Sequence, residues 1–241
     1  MKVIGIIPAR FNSSRFPGKP LALINGKTMI NLVYAQAKKV NAFSKVIVAT
    51  DDDRIYDHVK SFGGEVMMTS PNHLSGTDRC GEIINKLNED FDVVVNIQGD
   101  EPFIQPEQLE KLINAFNEPE VEIATLGICI TDAEKIFDPN IVKVVFNETG
   151  NALYFSRFPI PFIREMDKEK WAERGSHFKH LGIYAFHISV LQKIIKLQPS
   201  RLEKAESLEQ LRWLENGFKI KVVETEIDTM GIDTPEDLKN I

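Results

Sequence analysis

Val3-Ile4-Gly5-Ile6-Ile7 offers no polar side chain at any of its five positions, and this run constrains the fold more than any other feature. A strand with one wet face alternates apolar and polar residues. A continuous β-branched run is what a strand covered on both faces requires. Lys45 to Thr50 and Asp92 to Ile97 repeat the pattern, and Glu65–Met68 and Glu122–Ile130 are further strand candidates. Between them the apolar spacing becomes helical, at positions 29, 30, 33, 37 and 40, then over Asp53–Phe62, Thr77–Leu87 and Pro106–Phe116. Gly63-Gly64 ends the second of these helices, and Pro106 opens the last. This β-α-β-α order predicts an α/β fold, a mostly parallel central sheet with helices on both faces. Ligands of such sheets sit at the carboxyl ends of the strands, so the segments after residues 8, 50, 68 and 97 are where chemistry is expected.

The second half is less regular. Two strands are expected within residues 141–155, an irregular stretch over 157–178, and a strand over Lys179–Phe186. Helices follow over Ser189–Leu197 and Leu202–Glu215, then a strand over Lys219–Glu224. Thr234-Pro235 reads as the capped start of a final short helix. No repeat or linker interrupts the 241 residues. With 29 Lys+Arg against 35 Asp+Glu the net charge is −6, which argues against nucleic acid or an anionic membrane as partner. Only the apolar or small run Val3 to Pro8 and Ala9 separate Lys2 from Arg10, too short for a signal-peptide core or a membrane span. Cys80 and Cys129 have no metal-binding spacing. Two reduced thiols in a cytosol are the simplest reading, with a single bridge left open.

Four segments could carry chemistry. Pro8-Ala9-Arg10-Phe11-Asn12-Ser13-Ser14-Arg15-Phe16-Pro17-Gly18-Lys19-Pro20 holds three cations and no anion just past the first strand. Such a loop offers backbone N–H groups and positive side chains to a polyphosphate; the plain alternative is a solvated basic loop. It matches neither a Walker A sequence nor a dinucleotide fingerprint. After the Asp92–Ile97 strand, Gln98-Gly99-Asp100 can aim a carboxylate into a cleft. Magnesium needs only one or two carboxylates besides substrate phosphates, so Asp233 would suffice as the second. Asp233 could equally help to cap the terminal helix. Ser75-Gly76-Thr77-Asp78-Arg79 reads either as a helix cap or as a loop closing over a base or ribose. Alternation puts His180, Gly182 and Tyr184 on one strand face; with Glu209-Gln210 and Arg157 they are either a satisfied interior or a site. Asp51-Asp52-Asp53 reads as first-turn acids of a helix rather than a metal cluster.

Taken in order, Pro8–Pro20, Asn96–Pro102, His180–Tyr184, Leu208–Gln210 and Gly231–Leu238 resemble the motifs of the CMP-Kdo synthetase family, the cytidylyltransferases of 3-deoxy-manno-octulosonate (Kdo). The resemblance runs over nearly the whole chain. It implies a glycosyltransferase-A-like nucleotidyltransferase fold with a nucleotide-binding core over 1–130, a smaller sugar-binding and dimerisation lobe over 131–225, and a return to the core over 226–241. It also implies a cytoplasmic, Mg²⁺-dependent homodimer that makes CMP-Kdo and pyrophosphate from CTP and Kdo for lipopolysaccharide synthesis. Arg10, Arg15 and Lys19 would then hold the triphosphate. Ala9, Ser75, Arg79 and Gln98 would line the cytidine pocket, Asp100 and Asp233 would bind magnesium, and Arg157, His180, Tyr184, Glu209 and Gln210 would face the sugar. Phe11, Phe16 and Arg201 depart from the family pattern, and the last helix is short. The same reaction on 8-amino-Kdo or sialic acid, and a non-catalytic nucleotide-binding regulator, are the rival expectations.

Overall fold

The computed structural model describes residues 1–12, 16–229 and 231–240. The chain forms two compact units: Met1–Ile113 with Ala185–Ile195 and Thr229–Ile241, and Asn114–Tyr184 with Lys196–Asp228. The boundaries differ from the expected 130 and 225. The strand after residue 122 belongs to the second unit, and the segment 185–195 returns to the first, where the Ile188 N–H donates to Asp92 O at 3.0 Å.

In the first unit, β1 (Val3–Ala9) is followed by a small hairpin of β2 (Leu23–Ile24) and β3 (Lys27–Thr28), then α1 (Met29–Ala37). There follow β4 (Phe43–Thr50), α2 (Asp53–Ser61), β5 (Val66–Met68), α3 (Gly76–Lys86), β6 (Val93–Asn96) and α4 (Pro106–Asn114). Strands β6, β1, β4 and β5 lie side by side in that order, all parallel. The expected parallel sheet is therefore present, and its cause is visible: Ile4, Ile6, Ile7, Val48, Val94 and Val95 are fully buried. Helices α1, α2 and α3 pack on these strands. Gly63, at φ +78°, ends α2 as expected, with the Gly64 N–H returning to Val59 O at 2.9 Å. Asp52 caps α2 by accepting from the Arg54 N–H and Asp53 lies in its first turn, as expected, whereas Asp51 pairs with Arg79 instead.

In the second unit the order is β7 (Ile123–Cys129), α5 (Ala133–Phe137), β8 (Lys143–Phe146), β9 (Ala152–Ser156) and β10 (Phe178–His187), whose last three residues pass to the first unit ahead of α6 (Ile188–Ile194). Then come α7 (Arg201–Glu206), α8 (Gln210–Glu215) and β11 (Ile220–Glu224), which runs parallel to β7. β8 pairs antiparallel with β9 and β10. Three expectations are corrected here. The helix expected over Leu202–Glu215 is broken at Ser207, which sits at φ +55°; its neighbour Glu206 is held by Arg157, distant in sequence, while Glu209 pairs with the nearby Arg212. The irregular stretch 157–178 contains a 3-10 turn over Lys168–Arg174 that buries Trp171 against Phe137, Phe162 and His177. The final helix is a 3-10 turn over Asp237–Asn240, and the carboxylate that secures it is Asp237, which accepts from the Asp233 and Thr234 N–H groups. Among the described residues no helix is long and apolar enough to cross a membrane.

Candidate functional site

The carboxyl ends of β1 and β6 open a cleft in the first unit. Gly99 makes it possible. A Cβ at that position would stand 2.6 Å from Pro8 O, so only glycine lets the loop after β6 lie against the loop after β1. Asp100 is thereby set opposite Lys19. The cavity holds about 350 Å³ and is lined by Ala9, Arg10, Lys19, Ser75, Arg79, Gln98, Asp100 and Asp233, together with His73 and Leu74. The structure thus gathers into one cavity every residue expected to serve nucleotide or metal, apart from Arg15, which lies outside the described residues.

Each wall has a local cause. Ser75 caps α3 in a reciprocal box with Asp78, so the two readings of this segment coexist: a helix cap whose first residue faces the cavity. Arg79 is buried, and its guanidinium is fixed by Asp51 (2.7 Å), Thr69 Oγ1 (2.6 Å) and Ser70 O (3.3 Å). His73 was not singled out by sequence. Its Nε2 meets the Glu82 carboxylate, which also accepts from the Ser70 N–H and pairs with Lys86. Burial pulls the Glu82 carboxyl upward, yet Lys86, the Ser70 N–H and His73 together draw it down to about 2. Glu82, ionised at neutral pH, therefore ties Ser70 and His73 to α3.

The most informative contact is that of Lys19. Its Nζ donates to Asp100 Oδ2 (2.7 Å) and Ile232 O (3.0 Å), and meets Asp233 Oδ1 at 3.3 Å. Two carboxylates from distant parts of the chain converge on one positive charge, so the donor set suits a cation. Among the described residues, no three His, Cys, Asp or Glu side chains gather to hold a metal unaided. A two-carboxylate site completed by substrate phosphates is the form magnesium commonly takes.

The five residues expected to face the sugar all lie in the second unit. The Arg157 guanidinium donates to Glu206 O (2.7 Å) and Pro139 O (3.1 Å), while the Glu206 carboxylate accepts from the Arg157 N–H and from Ser156 Oγ. Lys143, fully buried and also missed by sequence, donates to Asp138 O, Ile141 O and Arg157 O, fixing the backbone at Arg157. The Glu209 carboxylate accepts from Arg212 at 3.2 Å, and Gln210 opens α8 in a buried position. His180 and Tyr184 are buried with ring centroids 5.2 Å apart. Thr125 Oγ1 donates to Ile183 O (2.7 Å) and so accepts from His180 Nε2 (2.9 Å), which assigns the proton to Nε2. Burial, then the Glu209 charge, pushes the Tyr184 hydroxyl well above its usual range.

Burial lowers His180 to about 3, so it stays neutral at working pH. The unfolded chain takes up this proton near pH 6.5 and the folded chain only near 3, so stability is full above 6.5 and declines as pH falls toward 3. An NMR titration of the His180 ring protons should accordingly be flat from pH 8 to 5. A midpoint near 6.5 would show the ring to be solvated.

A family model described as cytidylyltransferase matches residues 4–221. The 3-deoxy-manno-octulosonate cytidylyltransferase of Cytophaga hutchinsonii is 53% identical over 242 residues, spanning 100% of this chain and 96% of that protein. The 8-amino-3,8-dideoxy-manno-octulosonate cytidylyltransferase of Shewanella sediminis is 49% identical over 242 residues, spanning 99% and 96%. A solved structure of CMP:2-keto-3-deoxy-manno-octonic acid synthetase complexed with CTP superposes with a TM-score of 0.92 at 44% identity, covering 100% of this chain and 96% of that one.

Proposed function

Because the chain belongs to the 3-deoxy-manno-octulosonate cytidylyltransferase family, we propose that the first-unit cleft binds CTP and that Arg157, His180, Tyr184, Glu209 and Gln210 receive the sugar. The enzyme transfers CMP from CTP to Kdo and releases pyrophosphate. The observation that carries the site assignment is the convergence of eight nucleotide-side and metal-side residues on one cavity, with Lys19 held between Asp100 and Asp233.

In the proposed mechanism, the anomeric hydroxyl of Kdo attacks the α-phosphorus in line and the bond to the bridging oxygen of pyrophosphate breaks. No covalent enzyme intermediate is needed. The protein positions two anions and balances their charge. Arg10 and Lys19 oppose the triphosphate, and Arg15 is assigned the same role from its place in the loop. Arg79, immobilised by Asp51, and Gln98 shape the nucleoside pocket with Ala9 and Ser75. Arg157 is the counter-charge for the sugar carboxylate. Asp100 and Asp233 would hold Mg²⁺, which when bound neutralises phosphate charge.

We place the product in lipopolysaccharide synthesis and the reaction in a reducing cytoplasm, where the free thiols of Cys80 and Cys129 are stable. Leu153, Phe158 and Phe162 are more than 60% exposed on the second unit, an apolar surface suited to a homodimer. One preparation tests these assignments. Pyrophosphate release with CTP and Mg²⁺ is expected with Kdo, and more weakly or not at all with 8-amino-Kdo or sialic acid. Loss of release on chelation supports the metal, and sedimentation at twice 27.4 kDa supports the dimer. No turnover with either Kdo or its 8-amino analogue would sink the functional reading, and a monomer would remove the dimer.

A further inference from the structure

The Lys19 ammonium has three N–H bonds and three oxygen partners: Asp100 Oδ2, Asp233 Oδ1 and Ile232 O. Its side chain is only 13% exposed. This positive charge is tethered to the chain, and its donors are fully used. The same ammonium is the group assigned to the triphosphate. It cannot serve both places at once. A divalent cation joining the two carboxylates while Lys19 remains there would put three positive charges against two negative ones in a half-buried site.

We infer that Lys19 and the divalent cation exclude one another at Asp100 and Asp233, and that nucleotide opens the pair to metal by drawing the ammonium onto its phosphates. The inference rests on the reading that this pair holds Mg²⁺. The geometry suits a swing of the side chain alone. The Lys19 backbone is held in a 3-10 turn, with the Leu21 N–H on Gly18 O and the Ala22 N–H on Lys19 O. The four-carbon stem beyond it is flexible and ends in a compact charge. Metal and nucleotide would therefore bind as a coupled pair, and by reciprocity each tightens the other.

The test is Mn²⁺ binding to the whole protein, read by the electron paramagnetic resonance of free Mn²⁺, without sugar, with and without CTP. Without nucleotide, wild type is expected to bind Mn²⁺ weakly, and Lys19→Gln about tenfold more tightly or better, within the usual range of coupled sites. CTP should tighten Mn²⁺ by a larger factor in wild type than in Lys19→Gln, because only wild type has an ammonium to displace. Lys19→Met, which also removes the charge, should repeat the result, and a thermal melt of each variant verifies folding. Simple through-space repulsion would weaken Mn²⁺ equally with and without CTP. An equal effect of CTP in wild type and variant therefore overturns exclusion, as does equal nucleotide-free affinity. Adding Asp100→Asn to Lys19→Gln separates the two readings, since tight binding should then be lost. If it survives, the metal does not sit on this pair and the metal assignment falls, taking exclusion with it. If it is lost while CTP acts equally on wild type and Lys19→Gln, exclusion alone falls.

Discussion

Lys19→Ala should lower kcat/KM by about 10²-fold or more, which is about 2.7 kcal/mol of transition-state stabilisation. Charge moves onto the leaving pyrophosphate as the bond to the α-phosphorus breaks, and a cation fixed beside it lowers that barrier more than it lowers the ground state. The far-UV circular dichroism should not change. A loop lysine in solvent would leave the melting temperature unchanged too, but Lys19 is mostly buried between two carboxylates. The expected loss is about 1 kcal/mol, or roughly 2–4 °C for a chain of this size. If Lys19 excludes metal, millimolar Mg²⁺ should restore that melting temperature in the variant without restoring its activity. Wild-type kinetics in Lys19→Ala would return the loop to a merely solvated basic segment.

How far the sequence could lead depends on where each structural decision is made. The parallel strands were legible because burial on both faces writes itself into consecutive residues, as in Val3 to Ile7. The cleft was legible because the topology fixes which strand ends carry ligands, and Pro8–Pro20 and Gln98–Asp100 sit at two of them. The break at Ser207 was not legible. Leucines 202, 208, 211 and 214 satisfy a helical stripe, and one contact at the break is long-range: Arg157 donates to Glu206 O from β9's end, while the nearby Arg212 reaches Glu203 and Glu209 on either side of it. Trp171 was hidden for a similar reason, a lone aromatic in a charged stretch whose partners Phe137 and Phe162 come from separate segments. Lys143 looks like one more strand lysine until three carbonyls are found around its ammonium. His73 does have a local signal, since it stands in the loop leading into Ser75-Gly76-Thr77, a candidate segment in its own right. The contact of Lys19 with both aspartates has no local signature, because the three residues stand 81 and 214 positions apart.

Asp233 is where the structure changes the argument most. The sequence allowed it to be a helix cap, in which case Asn, which caps about as well, should leave the enzyme active. The capping carboxylate is instead Asp237. It accepts the Thr234 N–H at 2.8 Å and the Asp233 N–H at 2.9 Å, and these two bonds hold it below the ordinary range. The Asp233 side chain faces Lys19 and the cavity. Asp233→Asn should therefore keep the terminal turn, whose bond uses the Asp233 backbone. Nor should it gain stability through relief of repulsion with Asp100, since the Lys19 ammonium already lies between the two carboxylates. Activity is another matter. An amide oxygen in place of a carboxylate removes one of the two formal charges available to Mg²⁺, so kcat/KM should fall by about 10²-fold or more, at least about 2.7 kcal/mol. The half-saturating Mg²⁺ concentration should rise in parallel, whereas a residue acting only on phosphate binding would leave it in place. Initial rates of wild type and Asp233→Asn across a Mg²⁺ titration at saturating CTP decide between them. A right-shifted and lowered curve assigns the metal to Asp233, and superimposable curves would leave Asp233 with no role beyond its contact with Lys19.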